Sequence, residues 1–163
     1  MTIYTIGHSN AGIEAFIELL RRHEIDLLVD TRSKPYSRYN PHFSREPLKQ
    51  SLTENGIEYV FMGHELGGKP EDTAYYFQSG KVNYEQLAKA GFYQEGIERL
   101  LTLGRDRRVV FMCAEADYKH CHRYWLITRT LIQRGVEVSH ILHSGEVITS
   151  ETAEFEPEQP SLF

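Results

Sequence analysis

The stretch "VVFMCAEADYKHCHRYWL", residues 109–126, carries both cysteines of the chain. Four chemistries compete for it: a redox pair, a metal site, a nucleophile with an anion clamp, or two packed thiols. A thiol at the end of a buried strand, before a loop that opens a helix, is activated as thiolate by backbone N–H groups and a nearby cation. That makes Cys113 a candidate nucleophile and Arg123 the cation. Glu115, two residues on, competes as a general base or carboxylate nucleophile. The plain alternative is that Cys113 packs as a small hydrophobe. Cys121 is expected to pack. A Cys113–Cys121 bridge is the least expected of the four readings, because a cytosolic compartment keeps thiols reduced. Cys121 and His122 leave a helix in different directions, and no second ligand pair of zinc-finger spacing accompanies them. No cofactor is therefore expected, and a metal only if the fold brings His8, His42 or His64 to these residues.

Further polar residues follow the other apolar runs. Gly7, His8, Ser9 and Asn10 lead into a helix, where free N–H groups and the helix dipole make an anion site; the alternative is that Ser9 and Asn10 only cap that helix. Asp30 and Arg32 leave one strand end together, as a structural ion pair or as part of a site. His42, in Pro41-His-Phe43, either covers a ligand or packs down. His64 follows the third apolar run, ahead of Gly67 and Gly68, which could simply serve a tight turn. His8 and His64 are candidates for carrying a proton near neutral pH.

These residues need a scaffold that gathers them. Strand patterns fall at 2–6, 26–30, 57–62, 107–113 and 136–142. Helical patterns fall between them: from Asn10 through Ile13, Phe16, Ile17 and Leu20; from Ser44 to Asn55, closed by Gly56; from about Tyr84 to Leu103; and from about His120 to Arg134. Residues 63–83 show no period, and a loop of that length suggests a lid or binding loop. Strands separated by helices pair in parallel through right-handed crossovers. The expected fold is α/β, a three-layer sandwich around a mostly parallel five-stranded sheet. Such sheets bind ligands beyond the carboxyl ends of their strands. There, His8, Asp30, Arg32, His64, Cys113 and Glu115 would share one rim. Residues 1–145 would form the single domain and 146–163 an acidic, loosely ordered tail.

At 163 residues, 40% of them hydrophobic, the chain suits one domain with a sizeable core. No run approaches the roughly 18 apolar residues of a membrane span, and the first residues lack the pattern of a secretory leader. A cytoplasmic location without membrane association is expected. A formal net charge of −5 does not favour nucleic acid as partner. The basic, aromatic loop 32–45, with Arg32, Lys34, Tyr36, Arg38, Tyr39, Phe43 and Arg45, keeps a binding module for nucleic acid or protein open. The leading expectation is an enzyme, with hydrolysis or group transfer favoured, acting on a small anionic, nucleotide or phosphate-bearing ligand. Gly7, Ser9, Asp30, Arg32, His42 and Arg123 would bind it, and Cys113, Glu115, His8 and His64 would serve catalysis. The sequence leaves the oligomeric state open.

In order and spacing, "YTIGHSN", "LLVDTRSKPYSRYNPHF", "IEYVFMGHELGG", "VVFMCAEADYKHCHR" and "GVEVSHI" resemble the domain-of-unknown-function 488 family over about residues 3–142. The resemblance implies a single cytosolic α/β domain with an enzyme-like rim and names no reaction. "LLVDTR" and "VVFMC" also look like two elements of rhodanese-like sulfur transferases. That likeness implies a persulfide on Cys113 and a loop closed by Arg123. The segment "CAEADYKHCHR" departs from it, being longer, acidic and free of glycine.

Overall fold

Short runs of β-branched and aliphatic residues pair into a six-stranded sheet in the computed structural model, which describes residues 1–155. The strands are β1 (Thr2–Gly7), β2 (Leu27–Asp30), β3 (Glu58–Phe61), β4 (Val109–Cys113), β5 (Glu137–Ile141) and β6 (Val147–Thr149), in spatial order β3-β2-β4-β1-β5-β6. The first five run parallel and β6 pairs antiparallel with β5. In β2 and β4 every residue is buried, as expected of central strands covered on both faces.

Alternate strand residues point to opposite faces, and two core clusters follow from that. Ile6, Leu28, Val110 and Met112 pack against α1 (Ile13–Arg22) and α2 (Arg45–Glu54) through Phe16, Leu20, Leu48 and Leu52. Ile3, Leu27, Val29, Phe111 and Val138 meet the opposite layer. That layer holds the single turns α3 (Gly63–Leu66) and α4 (Tyr84–Leu87), the long α5 (Gly91–Asp106), and a π-helical segment, Arg123–Thr128, that runs into α6 (Arg129–Gln133). Each fully buried Leu, Ile or Phe contributes about 1.5–3 kcal/mol.

The three-layer sandwich is the expected one, with differences that have local causes. A sixth strand and a turn at Thr152–Phe155 lie where a loosely ordered tail was expected. β6 satisfies the outer edge of β5, and the Tyr124 hydroxyl donates to Glu154 at 2.8 Å while Phe155 packs on the same ring. Residues 156–163 of the expected tail lie outside the described ones. Asn10 does not cap α1, whose first turn follows Gly12 without a side-chain cap. The helix expected from Tyr84 breaks into α4 and α5. Gly56 closes α2 as expected, with φ +75°. Among the described residues, no helix is long and apolar enough to cross a membrane.

The crossover from β1 to β2 covers one face and that from β4 to β5 the other. The sheet's switch point therefore lies between the carboxyl ends of β1 and β4, next to that of β2.

Candidate active site

A cleft of about 360 Å3 opens at this point. His8, Arg32, Lys34, Lys69, Tyr84, Cys113, Glu115 and Cys121 are among the residues on its walls. The two sulfurs meet there: Cys113 Sγ lies 2.8 Å from Cys121 Sγ, and both cysteines are free. Cys113 ends β4 and is only 2% exposed, whereas Cys121, at the far end of the intervening loop, is half-buried.

Three anchors fold that loop back. The Arg123 guanidinium donates to the carbonyls of Glu115 at 2.9 Å and Ala116 at 3.3 Å. Tyr118 is buried with its ring stacked 3.9 Å from that of His140. Asp117 caps the turn Tyr118–His120 by accepting from the Lys119 amide. Cys121 then directly precedes the helical run that begins at His122. Its carbonyl accepts from the amides of Tyr124 and Trp125, so the thiol sits at a helix N-terminus.

The pair is electrically asymmetric. The hydrogen bond from Cys113 holds the Cys121 thiol down at about 6 against the opposing effect of burial, with the Arg123 charge adding to the lowering. The same contact and burial push Cys113 well up. These opposed shifts favour a thiolate on Cys121 with Cys113 as the S–H that donates to it. Sequence reasoning left the chemistry between Cys113 and Glu115 and expected Cys121 to pack. Eight residues of separation carry no sign that the loop returns; the signals available were the cation at Arg123 and the helix start.

Arg123 is 1% exposed and donates through its other terminal nitrogen to the Thr5 hydroxyl at 3.1 Å. Thr5 in turn donates to His140 Nδ1 at 2.7 Å, and His140 Nε2–H to Ser150 at 2.6 Å. Burial, with Arg123 nearby, pushes His140 down to about 3. Arg123 thus anchors the loop and charges the site from beneath; it does not line the cleft as a ligand clamp.

The rim at β1 differs from expectation. The amides of His8 and Ser9 continue the β1–β4 pairing by donating to the carbonyls of Cys113 at 3.0 Å and Ala114 at 2.8 Å. These two amides are therefore not free to bind an anion, and Ser9, at φ +47°, does not line the cleft. Gly7 is required by proximity: a Cβ would lie 1.6 Å from the Glu115 carbonyl oxygen. His8 does line the cleft, stacked on Phe43. Its Nδ1–H donates to the Ser9 carbonyl and its Nε2 accepts from Arg32 at 3.3 Å. Burial pushes it down to about 4, so at neutral pH it is an acceptor and holds no second proton to donate.

Asp30 is fully buried and saturated. It accepts from the Arg32 side chain at 2.9 and 2.8 Å, from the Arg32 amide at 3.1 Å, and from the Tyr59 hydroxyl at 2.6 Å. This is the structural ion pair; Arg32 borders the cleft with most of its charge compensated. His42 and His64 lie outside the cleft. His42 Nε2 bonds the Ala11 carbonyl at 2.9 Å, and Pro41–Phe43 packs down with Phe43 fully buried. His64 sits exposed on α3, edge-on to Phe61.

Glu115 is on the wall, and its backbone carbonyl carries the structural bonds. Lys69, Tyr84 and His122 were not singled out as ligands. The Lys69 amide is bound to the Ser33 hydroxyl at 2.9 Å, which ties the start of loop 63–83 to the loop after β2. His122, pushed down to about 4 by burial, donates from Nε2 to the Thr31 carbonyl at 3.1 Å. Gly68 is needed against that ring, since a Cβ would approach it to 2.6 Å. Neither Gly67 nor Gly68 adopts positive φ, so closeness and not turn geometry explains them. Among the described residues, no three His, Cys, Asp or Glu side chains converge as metal ligands.

The sequence profile of a family described as a domain of unknown function, DUF488, matches residues 12–130. No curated protein and no solved structure matches the chain. Nothing among these results supports the likeness to rhodanese-like domains.

Proposed function

The chain belongs to the DUF488 family, and on that footing we propose that it is a thiol enzyme acting on a small anionic substrate, with Cys121 as nucleophile. The carrying observation is the contact between the two sulfurs on the cleft wall, with the more exposed one above the buried Arg123 guanidinium. A thiolate at pH 7 is the species able to attack, and the S–H of Cys113 would return a proton to a leaving group. Lys34 and Lys69, both exposed, would hold the anion. Neutral His8 orients Arg32 through its Nε2. Glu115, at the same wall, would select against substrates carrying negative charge at that end.

Alkylation tests this without a known substrate. Cys121 should react with iodoacetamide at pH 7 and lose that reactivity with an apparent pKa near 6. The rate with anionic iodoacetate, relative to neutral iodoacetamide, should exceed that ratio for free cysteine, and should fall in a Lys34→Ala/Lys69→Ala double variant. Inorganic phosphate should protect. An ordinary thiol titration at Cys121 with no phosphate protection overturns the reading.

A second reading is favoured by Tyr36 and Tyr39, which are 71% and 85% exposed beside Lys34 and Arg38. These four could stack and hold single-stranded nucleic acid. Salt-dependent binding to an oligonucleotide, weakened in Tyr36→Ala/Tyr39→Ala, would support it; undetectable binding at low salt removes it.

A further inference from the structure

We infer that Cys121 and Cys113 form an internal dithiol–disulfide couple that exchanges with low-molecular-weight disulfides bearing carboxylates. This rests on Cys121 being the nucleophile proposed above, and adds a two-electron activity with its substrate class.

The geometry supplies an attacking and a resolving sulfur. Cys113, 2% exposed at the end of β4, has Cys121 Sγ in contact at 2.8 Å, while Cys121 is the more exposed of the two. An incoming disulfide therefore meets Cys121 first. Closing the pair requires the sulfurs to approach by less than about 1 Å, given the ~2.05 Å of a disulfide bond. The loop between them is already bent back by the Arg123 bonds to two carbonyls and by the Tyr118 stack on His140. The entropy of bringing the sulfurs together is thus lost on folding and does not have to be met during the reaction.

The chemistry balances in two exchanges. The Cys121 thiolate attacks one sulfur of RS–SR, the S–S bond breaks, and RS⁻ leaves. Cys113 then gives its proton to solvent or to the departing thiolate, and its sulfur attacks Cys121 Sγ. That displaces the second RS⁻ and forms the Cys113–Cys121 bond. The two cysteines are oxidised by two electrons and the small disulfide is reduced to two thiols. Two molecules of RSH reverse both steps. Arg123 has hydroxyl and carbonyl partners and an Nε without one, so it favours the state with a thiolate above it. A couple whose reduced form is stabilised in this way has a disulfide that oxidises others readily and is itself easily reduced. The carboxylate preference comes from Lys34 and Lys69 on the cleft wall.

The reduced protein is incubated with oxidised glutathione and, separately, with cystamine, a cationic disulfide, and the intact mass is followed. The wild type should lose two hydrogens without retaining an adduct, and mild dithiol should reverse the change. The Cys113→Ser variant should stop with one glutathione on Cys121. Glutathione should outrun cystamine by about tenfold at low salt after correction for free cysteine, the size of modest electrostatic steering. A stable wild-type adduct, or no reaction, alongside fast alkylation of Cys121 overturns the couple and leaves the nucleophile intact. Slow alkylation overturns both. A cystamine rate equal to or above the glutathione rate overturns the substrate class. The wild-type mass change decides the couple even if the serine variant does not fold.

Discussion

Arg32 and Arg123 are both buried, 6% and 1% exposed, at the same end of the sheet, yet they do opposite things. Arg32 is matched to Asp30 through two side-chain hydrogen bonds, and Tyr59 completes the shell of that carboxylate. Its charge is cancelled where it stands, and its work is to hold the loop after β2 and the His8 ring. Arg123 meets a hydroxyl and two carbonyls. A buried cation without a counter-charge is costly, and a thiolate on Cys121, as proposed above, would supply the missing charge. A paired guanidinium builds structure, while an unpaired one beside a thiol builds reactivity.

The largest effect expected from this contrast is acid lability. Three imidazoles are held neutral, chiefly by burial: His8 beside Arg32 at about 4, and His122 and His140 beside Arg123 at about 4 and 3. These folded values lie below the unfolded 6.5, so the unfolded chain binds more protons in that window. Stability is complete above pH 6.5 and is lost as pH falls toward 4. The loss is on the order of 3 kcal/mol for each imidazole. Urea unfolding at a series of pH values checks this, and a flat profile between pH 7 and pH 4 would show that folding does not hold the imidazoles down.

Next comes Asp30→Asn. Leaving Arg32 without its carboxylate should cost about 3–5 kcal/mol of stability, read as a lower denaturation midpoint. The pH dependence of Cys121 alkylation should stay unchanged. If that titration moved as well, the two guanidiniums would not be electrostatically separate.

The smallest effect separates Arg123 from mere packing. Arg123→Gln should return the Cys121 thiol toward its ordinary range and slow its alkylation at pH 7 by about tenfold. Arg123→Lys, which keeps the charge and loses the fork, should recover most of the rate while remaining less stable. Equal rates in the Gln and Lys variants would remove Arg123 from the activation of Cys121.

Much of the sheet was legible because its signals are local. "DLLVD" and "RRVVFMC" are apolar runs of strand length between helical patterns, and that alone demands a parallel sheet buried on both faces. β6 was missed because Val147–Thr149 is short, exposed and set in an acidic segment; only the open edge of β5 gives it a partner. The gathering of His8, Arg32, Cys113 and Glu115 at one rim followed from the strand ends. His64 was included on the same reasoning and falls outside, because a strand end fixes where a loop starts and not where its side chains turn; His42, open from its loop position to covering a ligand or packing down, packs down.

The amino-acid order, through side-chain period and strand length, was enough to specify a three-layer α/β domain and the end of the sheet that carries its polar residues. The folded chain alone decided in which direction each thiol and each buried imidazole is shifted. It decided also that the Ser9 amide is spent on β4, and that the two sulfurs touch. Each of these depends on burial, on long-range hydrogen bonds or on the field of one buried guanidinium. Those quantities are set by distances across the fold, and separation along the chain does not contain them.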